Sequence, residues 1–174
     1  MDQPKLQDMY KYKTMKTRSQ KLNLALHLTQ GMYNKKSLSR NAKLRHYQTV
    51  IRPEALYAVE CFNLNNEGTV QRLELQERKI LRKIYGPIIK ENYVRHNRPN
   101  SELYKNCEKL SHVMKKRRLA FYGHLQRMDD SRLPKKLFDH FLQKKYQPTW
   151  FTNTKKDLQA FQISISNIEN CSFF

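Results

Sequence analysis

The 174 residues carry 34 Lys and Arg against 15 Asp and Glu, a formal charge of +19, and a surface so basic repels itself unless a polyanion neutralises it. No apolar stretch approaches the roughly 20 residues of a spanning helix, and the opening MDQPKLQDMYKYKTMK has no apolar run behind its charges, so neither membrane insertion nor a secretory signal is expected. Cys61, Cys107 and Cys171 are widely spaced with no C-x-x-C, which argues against a disulfide framework or zinc ribbon and favours a reducing compartment, nuclear or cytoplasmic.

Four Gly and six Pro give sparse punctuation, so the sequence predicts long helices: a mainly α chain, an irregular bundle of about six to eight helices with little or no β-sheet. A first helix is expected over 18–33, with Leu22, Leu26 and Thr29 on one stripe and Leu24 and Leu28 beside it. From Ser39, a plausible N-cap, apolar residues recur at Leu44, Tyr47, Ile51, Ala55, Ala58 and Phe62, which is helical periodicity. Pro53 removes one backbone donor inside that pattern and predicts a kink or join near Arg52. Asn65, Asn66 and Gly68 read as a loop.

A helix over 69–85 follows, stopped by Gly86-Pro87. Val70, Leu73, Ile80, Leu81 and Ile84 form its apolar side, while Arg72, Gln76, Lys79 and Lys83 recur on another face. Such a stripe suits phosphate tracking; it is equally the solvated face of a very basic protein. Residues 88–100 lack a period and read as loop. Short helices are expected from Ser101 to about Lys109 and over 135–143. A longer one, capped by Ser111, runs to about Met128 with Val113, Ala120, Phe121, Leu125 and Met128 inward. In it Lys115 and Arg118 lie opposite the apolar face, with Arg117 near its edge and Tyr122 one turn from Arg118. Another helix follows Pro148, and Ser166 with Glu169 favours a last helical turn.

Met128-Asp129-Asp130 superficially matches the paired carboxylates with which polymerases hold magnesium. That pair needs a β-hairpin with apolar strands, whereas here it ends a helix and is flanked by Arg127 and Arg132, so a turn is expected. No Gly-rich phosphate loop, G-x-S-x-G or H-E-x-x-H occurs. Cys107, His112 and His124 lack a fourth ligand and knuckle-like spacing, so no metal and no cofactor are expected. What remains is charge, densest at Lys115, Lys116, Arg117 and Arg118, among ten Tyr and eight Phe that serve either as core or as stacking surfaces for bases.

Three ordered blocks carry a family resemblance. Lys43, Tyr47, Ile51, Arg52, Pro53, Tyr57 and Glu60 fit a K-x-x-x-Y-x-x-x-I-R-P-x-x-x-Y-x-x-E pattern. Glu77, Arg78, Lys79, Leu81, Arg82, Ile84, Gly86 and Pro87 fit E-R-K-x-L-R-x-I-x-G-P. Arg117, Arg118, Leu119, Gly123, His124, Arg127 and Met128 fit R-R-L-x-x-x-G-H-x-x-R-M. Over roughly residues 35–160 the chain resembles the region after the catalytic palm in non-LTR (LINE-like) retrotransposon reverse transcriptases. The resemblance implies a basic N-terminal segment and first helix at 1–34, a helical thumb-like region at 35–128, and a C-terminal helical extension at 129–174. It implies a nucleic-acid-binding fragment that holds template–primer, RNA or DNA, through Arg72, Lys79, Arg82, Lys83, Lys115, Lys116 and Arg118. The palm has no counterpart in these residues, so no catalysis by the chain alone is expected. Two other readings stand beside this one: a scaffold fragment packing on the polymerase palm through the Leu44–Phe62 stripe, or a decayed retroelement product.

Overall fold

Ser39 is extended, with φ −64° and ψ 153°, and its Oγ accepts the Ala42 N–H at 3.2 Å. It therefore satisfies one of the first-turn donors that a helix leaves open. This local logic recurs along the computed structural model, which describes residues 6–61, 67–89, 94–144 and 149–162. The fold is mainly α. Helix α1 spans Leu6–Asn34, longer than the stretch expected from sequence, and α2 spans Arg40–His46. A wide π-type turn, Tyr47–Ile51, then leads into α3, Arg52–Leu56, with Pro53 in its first turn. Proline lacks the N–H that a continuous helix would require there, so the pattern becomes a join at Arg52, as its position predicts.

The helical pattern breaks after Leu56, and Phe62 lies outside the described residues. Tyr57 leaves helical geometry, Ala58 adopts φ 49°, and Val59–Cys61 form a single 3-10 turn. Helix α4 covers Glu67–Tyr85 and so takes in Gly68, which had read as loop. It ends where Gly86 adopts φ 71° and returns its N–H to the Arg82 carbonyl at 2.9 Å. The stretch read as loop contains a two-residue antiparallel pairing, β1 (Ile88–Ile89) with β2 (Arg95–His96), Ile88 opposite His96. After it come α5 (Asn100–Leu103), α6 (Leu110–Gln126), α7 (Leu133–Gln143) and α8 (Thr149–Ala160). The Ser166–Glu169 turn and Cys171 lie outside the described residues.

The chain forms two compact units. The first comprises residues 1–57 and 66–111; the second comprises 58–65 and 112–174. In the first, α1 packs on α3 and α4, and α2 on α4. Its core holds Leu22, Tyr33, Leu44, Tyr47, Ile51, Ala55, Leu73, Ile80, Leu81 and Ile84. Each fully buried aliphatic side chain stabilises by about 1.5–3 kcal/mol. Cations enter this core with partners: Arg18 Nη1 donates to the Ala55 carbonyl and Lys43 Nζ to the Tyr33 carbonyl, both at 2.7 Å.

The second unit has an aromatic core of Leu119, Tyr122, Leu125, Phe138, Phe151 and Leu158. Phe138 lies 5.4 Å, centroid to centroid, from both Tyr122 and Phe151, within the range of favourable ring pairs. Trp150 Nε1 donates to the Glu60 carbonyl at 2.7 Å, tying the short 58–61 segment to α8. The inward side of α6 is rotated from the one expected. Met114, Arg118, Leu119, Tyr122 and Leu125 are buried, whereas Val113, Ala120 and Phe121 are only partly so. Tyr122 is therefore core, not an aromatic companion to surface cations.

Candidate nucleic-acid interface

Helix α4 separates two chemistries by period. Leu73, Glu77, Ile80, Leu81 and Ile84 face inward, while Arg72, Lys79 and Lys83 are exposed on the opposite side, with Gln76 half-buried among them. At 1.5 Å per residue, Arg72 to Lys83 spans about 16 Å. One strand of duplex presents about five phosphates over such a length. None of these three cations joins an ion pair within 4 Å among the described residues. Their neighbour Arg78 is instead directed to Glu74, at 3.5 Å. Leu75, on the outer side with them, is 49 % exposed.

What fixes the orientation of α4 is a buried carboxylate. Glu77 is 1 % exposed. Tyr47 OH donates to its Oε1 at 2.7 Å, and Tyr104 OH and the Leu110 N–H donate to its Oε2 at 3.1 and 3.0 Å. Arg52 Nη2 lies 3.5 Å from Oε1. Arg52 also donates to the Glu108 carbonyl and approaches Cys107 Sγ at 3.7 Å. The Leu110 N–H belongs to the first turn of α6, so Glu77 satisfies one of that turn's open donors, and the helix starts one residue before the expected Ser111 cap. Burial raises the Glu77 carboxyl above its ordinary range, against the lowering pull of Tyr47, Arg52, Leu110 and Tyr104. It pushes the Tyr47 and Tyr104 hydroxyls up as well, helped by the Glu77 charge.

The remaining expected contacts fare differently. Arg82 is half-buried, with Nη2 donating to Asn100 Oδ1 at 3.0 Å. Lys116 is half-buried, and Lys115, with a side chain 45 % exposed, lies 3.9 Å from Asp157 Oδ1. Arg118 is not on the outer face of α6. It is 6 % exposed and binds Asp157 Oδ2 at 3.0 Å, while Arg117, placed near the edge of the apolar face, is exposed. A guanidinium this deeply enclosed is held by its carboxylate and cannot track phosphates. Burial lowers the Arg118 pKa and raises that of Asp157, each shift opposed by the partner's charge. Arg72, Lys79, Arg82 and Lys83 thus belong to the first unit, and Lys115, Lys116 and Arg118 to the second.

Asp129 and Asp130 occupy the turn between α6 and α7. Asp129 Oδ1 accepts the Ser131 N–H at 2.8 Å, and the Ser131 side-chain hydrogen bond, followed by this backbone one, lowers the Asp129 pKa. Cys107 is buried beside Arg52, His112 stacks on Phe161 at 4.9 Å, and His124 is exposed. Among the described residues no three His, Cys, Asp or Glu gather as metal ligands, and no helix is long and apolar enough to cross a membrane.

The roles of Glu77 and Arg118 escape a search for surface charge, yet both leave a trace. Leu73, Glu77, Ile80 and Ile84 follow helical spacing, as do Met114, Arg118, Tyr122 and Leu125. A charge standing in an apolar register marks a buried ionic contact. No family model, curated protein or solved structure matches the chain.

Proposed function

We propose that the protein binds nucleic acid without sequence specificity, through phosphates, with the outer face of α4 as the principal contact. The observation that carries this reading is the exposed line Arg72–Lys79–Lys83 on a helix whose opposite face is anchored in the core. The formal charge of +19 supplies the long-range attraction. The resemblance to the region after the palm of a non-LTR reverse transcriptase supports the same reading, and makes a template–primer duplex the ligand of choice. Lys115 and Lys116 contribute weakly, Arg82 keeps its bond to Asn100, and Arg118 is a core residue. On this reading the chain carries no polymerase chemistry of its own, since Asp129 and Asp130 stand in an inter-helix turn and Asp129 is engaged by Ser131.

The test is duplex affinity at several salt concentrations for the wild type and for R72A/K79A/K83A. Each phosphate contact contributes about 0.9 to the slope of log K against log salt, so the triple variant should lose about 2 to 3 from that slope. Its unfolding midpoint should stay near that of the wild type, because all three side chains are exposed. An unchanged slope would remove α4 from the interface. The palm-docking alternative would use the Leu44–Phe62 stripe, of which Leu44, Tyr47, Ile51 and Ala55 are buried.

A further inference from the structure

One exposed apolar face is not used by the core or by the proposed phosphate contacts. On α7, Leu133 is 68 % and Leu137 50 % exposed, one helical turn apart, while Phe141, a turn further on, is half-buried against the aromatic core. The helix cannot turn to hide them. Its opposite side is fixed by Phe138, wedged between Tyr122 and Phe151, and by Lys135, whose Nζ donates to the Gln126 carbonyl at 3.1 Å. Around the leucines stand Lys136, His140 and Lys144, all exposed, with Lys144 Nζ 5.3 Å from the Phe141 ring centroid. The carboxylate of α7 itself, Asp139, is occupied by Lys135 at 3.4 Å. In the preceding turn Asp129 is engaged by Ser131, and Asp130 is exposed.

We propose that this face docks an acidic amphipathic helix from another protein, with aliphatic side chains at i and i+4 against Leu133 and Leu137 and carboxylates toward Lys136 and Lys144. Anchors at this spacing are how one helix reads another, and the cations around the seam select the sign of the partner. The other occupants fit less well. Nucleic acid would neutralise the lysines and leave both leucines wet. A second copy would bring the same cations against these, each chain carrying a formal +19. A bilayer takes up the whole apolar face of an interfacial helix, and here Phe138 is committed to the core.

The probe is a synthetic helical peptide with Leu at i, i+4 and i+7 and Glu between them, titrated into the full chain by fluorescence anisotropy. It is expected to bind, and L133S/L137S should weaken it by about tenfold or more. That variant should keep the wild-type unfolding midpoint and duplex affinity, which separates this docking from the contacts on α4. A peptide with Ala for Leu should lose binding to a similar extent. Equal binding of the Ala peptide, or unchanged binding by L133S/L137S, would overturn the proposal. So would a switch of the leucine dependence to phosphatidylserine vesicles, or to self-association in sedimentation.

Discussion

A carboxylate enclosed as Glu77 is must draw its hydrogen bonds from the protein, because an unpartnered charge in that position costs several kcal/mol. Tyr47, Tyr104 and Leu110 provide them, and Arg52 adds an ion pair. These partners come from the π-type turn, the segment after α5, the start of α6 and the start of α3, so one side chain fixes four pieces of backbone. Burial is nevertheless the largest influence on its proton affinity, and it raises the pKa. The folded protein therefore binds that proton more tightly than the unfolded chain, whose glutamate titrates near 4.3. Between the unfolded value and the raised folded one, the native state holds more protons, so its stability falls as pH rises. Denaturant unfolding of wild type and E77Q across this window should give a difference curve that descends with pH and is flat above it. A flat or rising curve across the window would mean that the donors, and not burial, set the titration.

At the scale of the element, two glycines in one unit predict opposite effects of the same substitution. Gly86 ends α4 at φ 71°, a left-handed conformation, and a Cβ there would meet nothing within 4 Å. G86A should therefore destabilise by about 1–2 kcal/mol from backbone conformation alone. Gly31 lies within α1 and is likewise sterically open, so G31A should stabilise by about 0.8–1.0 kcal/mol through helix propensity. Equilibrium denaturation of both variants checks the pair, and the same sign for both would refute the reading of these backbones. The contrast also shows why boundaries were legible in the sequence. Ser39, Pro53 and Gly86-Pro87 act on bonds within a few residues, so their effect is written locally. Rotation about a helix axis is not: the phase of α6 depends on Asp157, 39 residues beyond Arg118. Asp157 is itself set by the packing of α8, so a rule that sends charges outward turned α6 the wrong way. The stripe on α4 was legible because Arg72, Lys79 and Lys83 have no such distant partner among the described residues, whereas Arg82 was half misread because Asn100 was out of view.

For the whole molecule, the excess of 34 basic over 15 acidic residues acts in two opposed ways. Like charges crowded on folding repel, and salt relieves that repulsion by shortening the Debye length, which is about 10 Å at 0.1 M. Bound nucleic acid relieves it too, but salt competes with this effect because the released counterions must return to a richer solution. The two terms therefore respond to sodium chloride with opposite sign. Without ligand, the thermal midpoint should rise as salt increases from about 50 to 500 mM, a range over which screening strengthens. With duplex at about 100 times its low-salt Kd, the midpoint should start higher, by the equivalent of about 2.7 kcal/mol. That increment should then shrink until the two curves meet. The comparison needs no variant and involves both units at once. If the free protein is indifferent to salt, charge repulsion is not a material part of its stability. If the duplex increment persists at high salt, the contact is not made mainly through phosphates, and the exposed line on α4 is not what holds the ligand.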